Sequence, residues 1–318
     1  METFYFLLRL SLFSAIPLLV VALGGMFSEK SGVVNIALEG LMLIGAFTGI
    51  YSINLMQQAG VTGQMLYVYA MFIGGGAGLV FSILHAYASV NMKANQVISG
   101  TALNLLTPAL AIFLARMWTG TQQVNFNDTF FIQRVGFLAD IPVIGDLFFQ
   151  RAYISNYIGI GILIVSSIVL YKTKFGLRLR SCGEHPQAAD AAGISVYKIR
   201  YAGVLISGFL AGIGGVMLIV PTTTNFNATV SGFGFLALAV LIFGQWKPHR
   251  ILIAAIFFGL MRVISNSYSL IGFLDKLNLP GEFYSIIPYV ATLIVLAFVS
   301  KKSAAPKAAG TPYDPGQR

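Results

Sequence analysis

Residues 201–220 read YAGVLISGFLAGIGGVMLIV, twenty consecutive residues without a charged side chain. An α-helix needs about 20 predominantly apolar residues to cross the roughly 30 Å hydrocarbon core of a bilayer. Similar runs recur along almost the whole chain, and no segment shows the alternation typical of the strands of a membrane barrel. The sequence therefore predicts an all-α polytopic membrane protein. About nine (8–10) transmembrane helices are expected, near residues 6–26, 32–55, 64–90, 97–118, 153–171, 201–220, 232–246, 250–270 and 285–300.

The composition excludes most soluble functions. Of the 318 residues, 57% are hydrophobic and only 10% are charged, whereas a soluble globular protein carries about 25% charged residues. Soluble enzymes and nucleic-acid binders are therefore poor interpretations, and the net charge of +9 concerns the two sides of a bilayer instead. Cys182 is the only cysteine, so an intrachain disulfide is excluded.

The basic residues predict an orientation, because Lys and Arg collect in short cytoplasmic loops. If residues 172–200 are cytoplasmic, strict alternation of nine spans leaves the N-terminus outside and the C-terminus inside. Those inner segments then contain fourteen of the twenty basic residues: Lys30, Lys93, Lys172, Lys174, Arg178, Arg180, Lys198, Arg200, Lys247, Arg250, Lys301, Lys302, Lys307 and Arg318.

The chain is predicted to form a single transmembrane domain over residues 1–300. The external segment 119–152 is too long for a plain turn, and loops of this length usually have a function or short structure of their own. We expect either a docking surface for an external partner or an ordered cap over the helix ends. Residues 301–318, rich in Ala, Pro and Lys, are expected to form a flexible cytoplasmic tail.

A short helix is predicted at about residues 183–194, on the cytoplasmic side. Pro186 suits the first turn of a helix, the following residues are mostly strong helix formers, and Gly193 suits the stop. Ala188, Ala189 and Ala192 give this helix a smooth face. A second protein can approach such a face closely.

The stretch GEHPQAADAAGI at 183–194 resembles the coupling loop of ABC-importer permeases that serve simple sugars, nucleosides and branched-chain amino acids. The stretch FSEKSGVVNIALEGLM at 27–42 is similar to the start of the second span in the nucleoside-type permease subunits. This resemblance implies a type II ABC-importer fold. It also implies a coupling role for the residues that match the pattern, Glu184, Pro186, Ala188, Ala189 and Gly193.

The same resemblance implies a set of partners: an ABC ATPase subunit, a second permease subunit that is often heterologous, and an extracytoplasmic substrate-binding protein. No Gly-Lys dipeptide occurs in the chain, so the phosphate-binding loop that ends in Gly-Lys-Ser or Gly-Lys-Thr is absent. We therefore expect a transport subunit that is not an enzyme and has no cofactor of its own. ATP and Mg²⁺ belong to the partner ATPase.

Polar residues within the predicted spans are candidates for the solute pathway, since such groups are expensive in hydrocarbon and usually face a cavity or a partner helix. Asn35 and Glu39 are spaced four apart and share a helical face. Asn95 and Asn104 belong to the fourth span. For Glu39 the alternative is a structural bond across helices, with Arg262 as the candidate partner; for the fourth span it is helix packing.

Three interpretations of the whole chain compete. An ion-coupled secondary transporter of a small polar solute is the alternative to the ABC permease, motivated by Glu39 and by a weak inverted repeat between residues 32–41 and 232–241. The cytoplasmic helix favours the permease, since a secondary transporter does not require it. An intramembrane enzyme is the third interpretation, but the sequence offers no paired acid and base, and its three histidines are too scattered for a metal site.

Overall fold

The computed structural model describes residues 2–127, 130–136, 139, 141, 145–271, 276–277, 280–288, 290–293 and 304–316. Most of the described residues are helical, which confirms the all-α polytopic class. The helices are α1 (Glu2–Lys30), α2 (Leu38–Gln58), α3 (Gln64–Ala86), α4 (Gln96–Thr119), α5 (Ile154–Lys172), α6 (Lys174–Glu184), α7 (Pro186–Ala191), α8 (Val196–Thr222), α9 (Phe233–Phe243), α10 (Pro248–Asn266) and α11 (Gly281–Ser285). Among the described residues, seven helices are long and apolar enough to cross a membrane: α1, α2, α3, α4, α5, α8 and α10.

Two predicted spans differ from the observed helices. The span predicted at 232–246 is the 11-residue helix α9, which at about 1.5 Å per residue is too short to cross a bilayer alone. The span predicted at 32–55 begins as a helix only at Leu38, because residues 31–37 are not helical. Half of the span predicted at 285–300, residues 289 and 294–300, lies outside the described residues.

Helix α8 is the centre of the fold, because α1, α2 and α3 all pack against it. Its glycines allow this approach: a Cβ atom on Gly212 would collide with the backbone of Gly74, and one on Gly45 would collide with Gly212. Helices in lipid associate by close packing of small residues rather than by a hydrophobic driving force. By contrast, α4 exposes large apolar side chains such as Leu105 and Phe113, which suit lipid or another membrane chain.

The two ends of the molecule are defined by these contacts. The α7 end carries α6, α7 and the chain reversals after α1 and after α9, where Trp246 Nε1 donates to Glu29 Oε2 at 2.6 Å. The opposite end carries two short strand pairs: β1 (Val124–Asn125) with β4 (Asn225–Phe226), and β2 (Ile132–Arg134) with β3 (Gln150–Ala152), both antiparallel. Strands β1, β2 and β3 belong to the segment 119–152, so this loop has short structure of its own.

The C-terminal tail differs from the flexible end that its composition predicts. Residues 304–316 pack on the α7 end, where the Ala308 amide donates to the Gly183 carbonyl at 2.9 Å and the Gly310 amide donates to the Gly32 carbonyl at 3.2 Å. Gly310 has a φ of +81°, a conformation that favours glycine. The tail is ordered rather than flexible because backbone hydrogen bonds attach it. Composition does not reveal such bonds.

A second set of tail contacts lies at Tyr313, which is 5% exposed. Its ring meets the Tyr197 ring edge-on at 5.8 Å and lies 6.0 Å from the Arg200 guanidinium. Burial raises the pKa of Tyr313, and a hydrogen bond with Asp190 of α7 acts in the same direction. The tail is therefore attached to α7, to α8 and to the chain reversal after α1.

Candidate coupling surface and solute pathway

Helix α7 forms as its sequence predicts. It begins at Pro186, where proline removes an amide that would be unpaired in any helix. At its other end the Gly193 amide donates to the Asp190 carbonyl at 2.8 Å, and the φ of Gly193 is +77°. Left-handed glycine after the last turn is a common helix stop. The predicted short helix with these two boundary residues is confirmed.

The residues of the predicted coupling motif, which lie in α7 and at its two ends, differ in burial. Pro186 and Ala189 are buried, Glu184 is half-buried, and Ala188 and Gly193 are exposed. The buried pair fixes α7 to the body of the chain, whereas the exposed pair presents a surface of small groups. A second protein can come close to this surface without displacing long side chains.

Cys182 lies beneath α7 in a small buried cluster with Ala189, Val196 and Tyr313. Burial raises the pKa of the Cys182 thiol, although the nearby Arg200 acts in the opposite direction. A protonated, buried thiol behaves as a small apolar group rather than as a nucleophile. We therefore assign Cys182 to packing.

The non-helical segment 31–37 lies deep within the protein. Asn35 Nδ2 donates to Ser207 Oγ at 2.9 Å, and Ser207 is about 16 Å along α8 from its start at the rise of an α-helix. Irregular backbone at this depth in a membrane is tolerated only where its polar groups find partners inside the protein. The segment therefore needs hydrogen-bonding side chains around it.

Side chains of α4 supply those partners. Gln96 Oε1 accepts from the Val34 amide at 2.7 Å. Asn104 uses both ends of its amide: its oxygen accepts from the Gly40 amide at 2.8 Å, and its nitrogen donates to the Ile36 carbonyl at 2.9 Å. In the structure these polar residues satisfy the interrupted backbone before α2.

Glu39 joins two helix beginnings. Its carboxylate oxygens accept from the Gly232 amide at 2.9 Å and from the Gly234 amide at 2.6 Å. These are N-terminal amides of α9, which have no partner within the helix, and a negative charge is favourable there. The two stretches of the predicted inverted repeat, 32–41 and 232–241, therefore meet at Glu39. They run in opposite directions, because α9 leads toward the α7 end and α2 leads away from it.

Two neighbouring cavities lie near the start of α9. The first has a volume of about 300 Å³ and is bordered by the ends of α8 and α10 that lie opposite α7. The second has a volume of about 220 Å³ and follows α9 as far as Ala239. Ser231 and Arg262 line both cavities. The first cavity is the polar one, with side chains that include Thr222, Asn225, Asn227, Ser231, Arg262 and Asn266.

Residues 7–296 match the protein family described as the branched-chain amino acid transport system / permease component. The chain belongs to this permease family. It is 42% identical to the nucleoside ABC transporter permease protein NupC of Lactococcus lactis subsp. cremoris (strain MG1363), over 93% of each chain. It is also 42% identical to the guanosine ABC transporter permease protein NupQ of Bacillus subtilis (strain 168), over 96% of this chain and 95% of that one. A putative glucose ABC transporter permease protein of Haloferax volcanii is 32% identical, over 92% and 91%.

These relatives, together with the membrane-length helices, identify the role of the chain. It is the permease subunit of an ABC importer, a multi-pass membrane protein. It is a transport component and not an enzyme, and the ATPase of such a transporter is a separate chain. An ATPase partner is therefore part of its function.

The four residues that the sequence suggests for the pathway of the permease do not line the two cavities around Arg262. Glu39 nevertheless binds the amide of Gly232, which borders the second cavity, and Asn95 borders a separate, mostly apolar cavity of about 470 Å³. Asn35, Glu39 and Asn104 bind Ser207 or backbone groups, as described above. Asn95 caps α4, where its side-chain oxygen accepts from the Val97 and Ile98 amides at 2.9 and 3.2 Å. Their contact with solute stays a prediction.

Sequence reasoning missed the polar lining of the first cavity. Most of it comes from the connection between α8 and α9, whose sequence TTTNFNATVS covers residues 222–231. By sequence this stretch is only a link between two predicted spans. The signal was present in its four threonines and two asparagines, which come directly before an apolar run that is too short to cross a membrane.

Proposed function

We propose that the permease carries nucleosides inward across a prokaryotic cytoplasmic membrane. The support is the pair of relatives named as nucleoside and guanosine permeases, each 42% identical over more than nine tenths of this chain. The polar first cavity offers amide and hydroxyl groups, which suit a solute with several hydroxyl groups. An ion-coupled secondary transporter of a small polar solute is the alternative that the experiment below tests.

The observation that supports an ATP-driven mechanism is the surface of small exposed residues on α7. We infer that an ABC ATPase subunit docks there and that its closure moves α7 together with the attached α8. The permease has no cofactor of its own in this proposal, and ATP and Mg²⁺ bind to the ATPase. A second permease subunit, different in sequence as the family resemblance implies, would cover exposed apolar surface such as that of α4.

The proposed orientation has the α7 end and the C-terminus in the cytoplasm. Its support is the basic residues near that end, including Lys172, Lys174, Arg178 and Lys198, since positive charge collects on the cytoplasmic side. The opposite end, with the first cavity and the segment 119–152, then faces outward. An extracytoplasmic substrate-binding protein would deliver solute there.

The first test is co-purification followed by reconstitution. The tagged permease is isolated in mild detergent with its partners, placed in proteoliposomes, and assayed for nucleoside uptake with and without ATP. We expect an ATPase to co-purify and uptake to require ATP. Isolation of the chain alone, with uptake that persists without ATP and collapses with the ion gradient, would instead support the secondary transporter.

A substitution tests the docking surface directly. Ala188→Glu introduces a longer, charged side chain on the exposed face of α7, so we expect loss of ATPase co-purification and of ATP-driven uptake. Ala59→Glu is the matched control, because Ala59 is exposed at the opposite end of the molecule. If Ala188→Glu retains the ATPase as well as the control does, the ATPase docks elsewhere.

A further inference from the structure

The first cavity lies where a solute would enter the permease from the outside. Thr222 ends α8 and Asn266 ends α10, and both line this cavity at the end of the molecule opposite α7. In the proposed orientation this end faces the outside. The cavity volume of about 300 Å³ is at the lower limit of the range of roughly 300–1,000 Å³ found for small-molecule sites.

The chemistry of the first cavity is that of a site for a polar solute. Amides from Asn225, Asn227 and Asn266 both donate and accept hydrogen bonds, and so do the hydroxyls of Thr222 and Ser231. Such groups can pair with sugar hydroxyls in several orientations. Among the described residues that line either cavity, Arg262 is the one with a charge.

Arg262 has hydrogen-bonding capacity that the described part of the chain does not use. Its guanidinium lies 5.3 Å from the Phe233 ring centre, and Nη2 makes a long contact of 3.5 Å with the Ser231 carbonyl. Among the described residues, none accepts a hydrogen bond from its buried Nε, and no carboxylate forms an ion pair with it. Arg262 is half-buried, and a buried N–H group without an acceptor is costly, so an acceptor from the solute would be stabilising.

Arg262 lies where the two cavities adjoin. Arg262 and Ser231 border both cavities, so they lie between the first cavity and the second cavity along α9. A solute that moves from one to the other would pass the guanidinium. Glu39 fixes the start of α9 beneath this point, through the Gly232 and Gly234 amides.

We propose that Arg262 is a specificity residue of the permease, which binds the base of a nucleoside that carries a carbonyl acceptor beside a ring nitrogen. The planar guanidinium presents parallel donors that match such a pair of acceptors, as in 6-oxopurines. Adenosine presents an amino donor in place of the carbonyl and fits less well. This inference rests on the proposed nucleoside transport, and the hydroxyl and amide groups of the first cavity would bind the ribose.

Uptake kinetics test the specificity. The KM values for inosine and adenosine are compared in reconstituted wild type, Arg262→Gln and Arg262→Lys, with Arg116→Gln as the control. Arg116 is exposed at the end of α4 and lines neither cavity. We expect Arg262→Gln to raise the KM for inosine about tenfold, the scale of one charge-assisted hydrogen bond, and to change the KM for adenosine less. Arg262→Lys keeps the charge without the planar fork and should lose most of the discrimination.

The outcomes separate the two proposals. If wild type shows no ATP-driven nucleoside uptake, the proposed function fails. If uptake is ATP-driven but Arg262→Gln keeps the wild-type ratio of the two KM values, the role of Arg262 is wrong and nucleoside import stands.

Cysteine labelling provides a readout that does not require transport. Ser231→Cys is introduced into a Cys182→Ser background, and the reconstituted complex is treated from the outside with anionic or cationic methanethiosulfonate reagents. We expect the anionic reagent to react several-fold faster, because of the Arg262 charge, and inosine to protect the introduced thiol better than adenosine does. Adding Arg262→Gln should abolish the preference between reagents. Equal rates for both reagents, or no protection by inosine, would overturn the proposal.

Discussion

Arg200 and Arg262 have the same local chemistry at opposite ends of the molecule. Each lies on a long helix, and each guanidinium lies over one aromatic ring: Arg200 is 6.0 Å from Tyr313, and Arg262 is 5.3 Å from Phe233. Their surroundings differ. Arg200 is 1% exposed beneath the C-terminal tail, whereas Arg262 borders two cavities.

The difference is one of space rather than of hydrogen bonding alone. Both guanidinium groups have a buried Nε without an acceptor among the described residues, and at Arg200 the buried Nη2 lacks one as well. At Arg200 the tail fills the surroundings with the ring of Tyr313 and with the Thr311 carbonyl, which accepts from Nη1 at 2.9 Å. At Arg262 the Ser231 carbonyl lies at 3.5 Å and the neighbouring space is open. A filled site fits the proposed role of the α7 end in transmitting movement. Open space beside the donors fits the proposed role of Arg262 in binding solute.

The largest expected effect is on stability when Arg200 is removed. Arg200→Ala should cost about 3–5 kcal/mol, because it empties a filled site and leaves the Thr311 carbonyl without its donor. Arg262→Ala should cost less, since its side chain already borders empty space. Thermal unfolding of the two variants in the same detergent measures the difference. Equal shifts in Tm would mean that the two sites are not distinguished by packing.

Removal of the Tyr313 ring should release the tail. Tyr313→Ala loses the contacts with Tyr197 and Arg200, at a cost of about 2–3 kcal/mol. Limited trypsin digestion measures this release, because Lys307 is exposed in the tail and is protected only by the docked backbone. Tyr313→Phe is the matched control, which retains the ring and loses only the hydroxyl. Similar cleavage rates for Tyr313→Ala and wild type would show that the tail does not depend on this contact.

Substitution of Glu39 tests how its carboxylate holds the start of α9 beside the two cavities. In Glu39→Gln one amide group of α9 loses its acceptor and faces a donor instead, so we expect a loss of about 1–2 kcal/mol. The measurement is the Tm of the assembled complex, alongside nucleoside uptake. A loss of uptake with unchanged Tm would contradict the structural role and favour direct contact with solute.

The sequence predicts some of these features and not others, for reasons that particular residues make clear. Helix α7 is predictable because Pro186 and Gly193 act locally at its ends. The partners of Glu39 are not, because the amides of Gly232 and Gly234 have no sequence signature. Asn104 stands out in the sequence because an amide in a span is expensive.

The cost of that amide is offset by the interrupted backbone at 31–37, which no pattern in an apolar run reveals. The docked tail escapes prediction for a related reason. Ala308 and Tyr313 are buried one at a time, without the periodic apolar face that sequence patterns reveal. Two further attachments are backbone hydrogen bonds from Ala308 and Gly310, which any residue except proline can donate.

The smallest expected effect concerns the ion pair at the end of the tail. Asp314 Oδ2 lies 3.2 Å from Lys93 Nζ, and both side chains are 41% exposed. The Gly316 amide, and then Lys93, hold the pKa of Asp314 below its usual value. A lowered pKa in the docked tail means that the carboxylate stabilises docking above the pKa of the free tail. That stabilisation is lost only as the pH falls through the still lower pKa of the docked state.

Trypsin protection of Lys307 should therefore be constant from about pH 6 to 8, where Asp314 is ionised whether the tail is docked or free. Asp314→Asn should change the cleavage rate by less than about twofold, because exposed ion pairs contribute little and are screened by salt. A large effect, comparable to that of Tyr313→Ala, would mean that the surface ion pair holds the tail as strongly as the buried ring does. In that case the α7 end would respond to ionic strength, and its contrast with the open space around Arg262 would be one of charge rather than of packing.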